Sequence, residues 1–132
     1  MKKIVASTLF ALLLPFANAS LAEDICHNPQ AERDILECSA QKKDEAEVLL
    51  NKQFSEAKKT VQHAYRTQEE LGKQYFSVLL DGQRGWLKYR DAQCKLEAFA
   101  AEEGTSANAI ANNECIARLD NDRSENLKKV PY

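Results

Sequence analysis

Residues that break regular structure are rare along most of this 132-residue chain. No proline lies between Pro29 and Pro131, and the chain holds four glycines, at Gly72, Gly82, Gly85 and Gly104. The sequence between them is rich in Ala, Leu, Glu, Lys and Gln, which favour helices, and it lacks the alternating β-branched runs typical of strands. The sequence therefore predicts an all-α fold, a small antiparallel bundle of three to five helices.

The N-terminus has the three parts of a cleavable signal peptide. Lys2 and Lys3 form a basic start, residues 4–16 are apolar, and small residues follow at 17–19 and 20–22 as alternative cleavage sites. The apolar run is shorter than the roughly 20 residues that a membrane-spanning helix needs. We favour cleavage after Ala22, which predicts a signal peptide at 1–22, a single helical domain at 23–132, and a soluble periplasmic or secreted protein.

Four cysteines remain after that cleavage, at Cys26, Cys38, Cys94 and Cys115. An even number in an exported chain predicts two disulfides, and the absence of CxxC spacing argues against zinc. Of three possible pairings we favour Cys26–Cys38 and Cys94–Cys115, each worth roughly 3 kcal/mol, because each pair flanks a predicted turn or loop. The acidic residues before Cys26 are not a lipoprotein signal, so no membrane anchor is expected after cleavage.

Caps and apolar spacing predict the first two helices. Asn28 is a good N-cap and Pro29 a good first helical residue, so a first helix is expected to run from there to about Cys38. A longer helix is expected from about Gln41 to Tyr65. Its apolar residues recur at steps of three and four and share one face: Leu50, Phe54, Ala57, Val61 and Tyr65.

The second half of the chain predicts further helices. Apolar residues keep helical spacing from Gln68 to Ala101, with either a kink or a break at Asp81-Gly82. Residues 101–113 form the longest candidate loop, partly helical if Thr105 or Ser106 acts as a cap. A final helix is expected over residues 113–128.

Catalytic constellations are not evident. His27 and His63 have no neighbouring nucleophile, the acidic pairs are typical of solvated helix faces, and no phosphate-binding or dinucleotide motif occurs. The formal charge of −2 gives no reason to expect a nucleic-acid partner. The sequence therefore predicts a protein that is not an enzyme and uses no cofactor or metal.

The segment from Gln83 to Cys94 carries the most information. On a helix, Trp86 and Tyr89 share a face, and Arg90 lies one turn beyond Trp86, where its guanidinium can stack on the indole. Two interpretations stay open: a tryptophan that anchors the core, or a binding hot spot built from the residue types most enriched there.

This segment resembles the Q-R-x-W-L-x-[FY]-R-D-x-x-C signature of the LprI-like lysozyme-inhibitor family of bacterial envelope proteins. Three further elements are similar to the family's pattern: the Cys26 and Cys38 pair, residues 47–54 and residues 115–127. The resemblance covers nearly all of the chain after the signal. It implies a helical, disulfide-bonded domain that inhibits lysozyme by direct binding.

Two candidate binding regions follow from these observations. The first is the loop with Glu102, Glu103, Thr105 and Ser106. Its acidic charge suits a basic lysozyme cleft, and the predicted Cys94–Cys115 disulfide would restrain it. The alternative is a non-enzymatic envelope protein, structural or stress-related, that binds another envelope partner through Trp86 and Arg90. A carboxylate-dependent hydrolase ranks last, and the oligomeric state stays open.

Overall fold

Three long helices account for most of residues 25–132, the part of the chain that the computed structural model describes. They are α1 (Glu32–Ala64), α2 (Glu69–Glu97) and α3 (Ser106–Leu127), and a helical turn at residues 25–27 precedes them. Helices α1 and α3 share the most extensive contact. The predicted all-α fold is confirmed, and no strand occurs within residues 25–132. The predicted signal peptide lies outside the described residues.

Helix α1 is one continuous helix, so the two helices predicted on either side of residues 38–41 are wrong. Nothing between Cys38 and Gln41 breaks a helix, and the hydroxyl of Ser39 donates to the Leu36 carbonyl over 2.8 Å. A serine hydroxyl that bonds to a carbonyl of the preceding turn is accommodated within a helix at a small cost.

The predicted start at Asn28 is also wrong, because α1 begins at Glu32 with Ala31 as its N-cap. The carboxylate of Asp34 accepts hydrogen bonds from the backbone nitrogens of Gln30 and Ala31, at 2.9 and 3.1 Å. An acidic residue in the first turn satisfies these otherwise unpaired donors and moves the start of the helix away from Pro29.

Helix α2 runs through Asp81-Gly82 without interruption, so the break proposed there is wrong. Gly82 and Gly85 lie on exposed surface, where an added Cβ would meet nothing within 4 Å. Each glycine lowers helix propensity by about 1 kcal/mol relative to alanine. Packing on the opposite side offsets this cost: buried Gln83 accepts a 2.9 Å hydrogen bond from the Arg123 guanidinium of α3.

Helix α3 begins at Ser106 rather than near Asn113, and Thr105 caps it as predicted. The Thr105 hydroxyl accepts from the backbone nitrogen of Asn108 at 3.3 Å. With the cap in place, the alanine-rich residues 107–111 continue the helix, which shortens the predicted loop.

The core lies where α1 and α3 meet the C-terminal residues. Leu50, Ala57 and Val61 of α1 form a buried cluster with Leu127 and Val130, and partly buried Trp86 of α2 packs against it. The predicted face of α1 is therefore confirmed. The apolar series of α2 divides: some members pack on the core, whereas others are exposed, namely Leu71, Val78, Tyr89 and Leu96.

Both predicted disulfides are confirmed. Cys26 bonds Cys38 with an S–S distance of 2.04 Å, and Cys94 bonds Cys115 at 2.06 Å. Across residues 25–132, no helix is both long and apolar enough to cross a membrane.

Candidate binding site

A buried disulfide joins α2 and α3 on either side of the connection between them. Cys94 lies one turn before the end of α2, Cys115 lies in α3, and both are almost fully buried. Ile116 completes their cluster, with Leu119 packed against it. We call residues 98–106, which this disulfide holds at the end of the bundle, the α2–α3 tip.

Asn108 fixes the first half of the α2–α3 tip from the start of α3. Its side-chain amide donates to the carbonyls of Ala98 and Ala101, at 3.0 and 3.1 Å. Ala98 itself is buried, and its backbone nitrogen donates to the Cys94 carbonyl at 3.0 Å. One side chain of α3 thus binds two carbonyls of the segment that follows α2.

Thr105 fixes the second half of the tip. Its hydroxyl donates to the Glu102 carbonyl at 2.7 Å, in addition to capping α3. Between Glu102 and Thr105, Gly104 has a φ of +86°, a backbone conformation that L side chains rarely adopt. Glu102 and Glu103 are exposed on the outside of this turn.

The predicted binding residues Glu102, Glu103, Thr105 and Ser106 therefore lie together, with different roles. The two glutamates are free to face a partner, whereas Thr105 holds the turn and Ser106 is half-buried as the first residue of α3. Phe99, with 83% of its surface exposed, also belongs to the tip. Phe99 is part of the apolar series that the sequence predicts between Gln68 and Ala101, and helical spacing gives no sign of its exposure.

An open groove of about 490 Å³ lies beside the tip. Its lining combines an exposed aromatic ring, two carboxylates, one amine and two amides, from Phe99, Glu102, Glu103, Lys95, Asn108 and Asn112. On its flank, the Arg118 guanidinium contacts both carboxylate oxygens of Glu97 at 2.8 and 2.9 Å. Hydrogen bonds from Gln93 and Arg118 lower the pKa of Glu97.

Arg90, the second candidate, lies inside the bundle. Its Nη1 donates to both carboxylate oxygens of fully buried Asp120 at 3.0 and 3.2 Å, while Nε and Nη2 contact Asp91 at 2.9 and 2.7 Å. Nη1 also lies 3.6 Å from a carboxylate oxygen of Glu47 in α1. Burial alone would lower the pKa of Arg90, but the hydrogen bonds to Asp120 and Asp91 outweigh it and raise the pKa.

Two guanidinium groups lie near the indole ring of Trp86. The Cζ atoms of Arg90 and Arg123 lie 5.9 and 5.8 Å from the centre of its ring, within the range of cation–π attraction. The indole is partly buried against the core. The Arg123 contact joins α2 to α3, and a binding role for Trp86 and Arg90 stays a prediction.

The family model described as "Lysozyme inhibitor LprI" matches residues 26–127. The chain therefore belongs to the LprI family of lysozyme-inhibitor-like proteins, as its motifs predicted.

Two individual proteins are similar to this chain. An uncharacterized protein of Rhizobium meliloti (strain 1021) is 28% identical over 117 residues, which cover 86% of this chain and 84% of that protein. The crystal structure of a DUF1311-family protein from Pseudomonas putida KT2440 matches with a TM-score of 0.69 and 28% identity. That match covers 78% of this chain and 96% of the other.

Proposed function

We propose that this protein inhibits a lysozyme by placing the α2–α3 tip in or across the enzyme's substrate cleft. The family supplies the class of function. The observation that carries the mechanism is the tip itself. Glu102 and Glu103 are exposed beside Phe99 on a turn that is held by a disulfide, by Gly104 and by the side-chain hydrogen bonds of Asn108 and Thr105.

The rigidity of the tip favours binding. A turn that already has its bound conformation loses little conformational entropy on association, so more of the contact energy appears as affinity. The restraint comes from both sides, through Asn108 from α3 and through Cys94 from α2.

The chemistry of the tip suits a basic protein surface with an apolar recess. Two neighbouring carboxylates accelerate association with a cationic partner, and their effect weakens as salt rises. Phe99 offers an apolar anchor of the kind that is enriched at the centres of interfaces. Occlusion by such a surface requires the inhibitor to make or break no covalent bond.

We further propose that the protein acts in the periplasm or outside the cell, as residues 23–132 after removal of the signal peptide at 1–22. The two disulfides support this, because such bonds persist in oxidising compartments.

The test is a lysozyme turbidity assay with purified, oxidised residues 23–132. We expect micromolar protein to slow cell-wall lysis by at least one of the C-type, G-type or phage-type lysozymes. A folded protein that inhibits none of the three contradicts the proposal and favours another envelope partner.

Paired variants test the surface. We expect the double change Glu102→Gln and Glu103→Gln to raise the inhibition constant at least about tenfold, or roughly 1.4 kcal/mol, and to flatten its salt dependence. The matched control changes the exposed pair Glu69 and Glu70, at the start of α2, to glutamine. Equal effects of the two double variants would exclude the tip as the binding surface.

A further inference from the structure

A stripe of uncharged residues runs along the exposed side of α2. Its members alternate at steps of four and three residues and carry no charge over the whole helix: Leu71, Tyr75, Val78, Gly82, Gly85, Tyr89, Ala92 and Leu96. Four of the larger side chains are well exposed, with 73% of Val78, 68% of Leu96, 57% of Tyr89 and 48% of Leu71 accessible. We call these eight residues the α2 seam.

Apart from Tyr75, which packs against the core and the Tyr65 ring, the seam lies off the face that α2 uses within its own bundle. The buried residues of α2 are Gly72, Gln83, Arg90 and Cys94, none of which belongs to the seam. Its spacing of alternating fours and threes is the heptad pattern by which one helix packs along another. Of its members, Tyr75 is half-buried, and its hydroxyl accepts a 3.1 Å hydrogen bond from the Tyr132 backbone.

We propose that a second copy of this chain packs on the α2 seam, with the two α2 helices antiparallel around a two-fold axis. Such an isologous contact brings the same surface of both copies together. When one copy is reversed, the seam residues of the two copies meet in paired layers. Gly82 then faces Gly85 of the second copy at the centre, and Val78 faces Tyr89, Tyr75 faces Ala92 and Leu71 faces Leu96 outward from it.

The central glycines allow the two backbones to approach closely. An added Cβ at Gly82 or Gly85 would meet nothing within 4 Å in the monomer, so this part of α2 has open space in front of it. Further out, each layer sets a large side chain against a small or aliphatic one, which is how facing helices interdigitate.

Charges beside the seam favour antiparallel packing of α2 with the α2 of a second copy. Asp81 and Lys88 lie one position before Gly82 and Tyr89, on the solvent side of the helix, and both are exposed. Antiparallel packing brings Asp81 of each copy to Lys88 of the other, so the dimer has two opposite-charge pairs. A parallel arrangement puts Asp81 level with Asp81 and leaves these pairs unmade.

This dimer does not depend on the proposed inhibition. The seam ends at Leu96, before the α2–α3 tip, and the antiparallel arrangement puts the two tips at opposite ends of the helix pair. A monomeric variant is therefore expected to keep its inhibition of lysozyme, so each proposal can fail without the other.

Sedimentation equilibrium of residues 23–132, over roughly 5 to 500 µM, tests the dimer directly. We expect a reversible monomer–dimer equilibrium in the unmodified protein. Val78→Glu is expected to weaken it at least a hundredfold without changing helix content by circular dichroism. The matched control is Ser77→Glu, which adds the same charge one residue away and off the seam.

A charge exchange tests the orientation. Asp81→Lys alone and Lys88→Asp alone are each expected to weaken the dimer, because each faces like charges across the axis. An equimolar mixture of the two variants is expected to form a heterodimer, in which both opposite-charge pairs return. An unmodified chain that stays monomeric at the highest concentration, equal dimerisation of Val78→Glu and Ser77→Glu, or a mixture no tighter than its components would overturn the proposal.

Discussion

Arg90 and Asp120, thirty residues apart in the sequence, meet in the interior through two hydrogen bonds of 3.0 and 3.2 Å. The pair joins α2 to α3, and the approach of Glu47 to the same Arg90 nitrogen brings in α1. One guanidinium thus contacts carboxylates from all three helices. Arg90, which the sequence motif makes a binding candidate, therefore also joins the three helices of the bundle.

Removal of the Asp120 charge is expected to destabilise the fold strongly. Asp120→Asn removes the fully buried counter-charge of Arg90, while Asp91 and Glu47 remain, so the loss is expected near the lower end of the roughly 3–5 kcal/mol that breaking a buried pair costs. Urea denaturation followed by circular dichroism measures the change. The control is Asp122→Asn, since Asp122 is exposed on the same helix and a change of less than about 0.5 kcal/mol is expected there. A small loss in Asp120→Asn would show that the pair contributes little beyond packing.

The two disulfides are expected to have separable roles. Replacing Cys94 and Cys115 by serine removes the restraint on the α2–α3 tip, so stability should fall by roughly 3 kcal/mol and inhibition of lysozyme should weaken. Replacing Cys26 and Cys38 by serine should reduce stability by a similar amount and leave inhibition by the folded protein unchanged. Thermal unfolding and the turbidity assay measure both effects, and equal loss of inhibition in the two variants would contradict the assignment.

Loss of the Asn108 amide is expected to loosen the tip without unfolding the bundle. Asn108→Ala removes the hydrogen bonds to the carbonyls of Ala98 and Ala101, at roughly 0.5–1.5 kcal/mol each. Hydrogen exchange over residues 99–105 should become faster, and the inhibitory complex should dissociate faster. Asn121→Ala, at an exposed position of α3, is the control and should change neither rate.

Local chemistry made much of the fold predictable. The spacing of Leu50, Ala57 and Val61 identified the inward face of α1, and the turn or loop predicted between each pair of cysteines indicated the pairing that the structure contains. The helix boundaries were harder, because the start of α1 depends on a hydrogen bond from the Gln30 backbone nitrogen to the Asp34 carboxylate rather than on the favourable Asn28-Pro29 pair.

The parts that were not predictable depend on tertiary contacts. Helical spacing shows that apolar residues share a face but not which face meets the core. Val78 and Leu79 both belong to the apolar series predicted between Gln68 and Ala101, yet of these two only Leu79 packs on the core. The bonds of Asn108 to Ala98 and Ala101 exist only once the tip has turned back on itself. Its acidic residues were visible in the sequence, whereas its rigidity was not.

Each disulfide joins cysteines that are consecutive along the chain, the first with the second and the third with the fourth. A chain that enters an oxidising compartment with its N-terminus first presents Cys26 and Cys38 together before Cys94 emerges. Oxidation in the order of appearance therefore forms the native bonds, and the last two cysteines then have only each other as partners. If the protein is exported as proposed, we therefore expect its maturation to need an oxidant for its thiols but no isomerase to rearrange them.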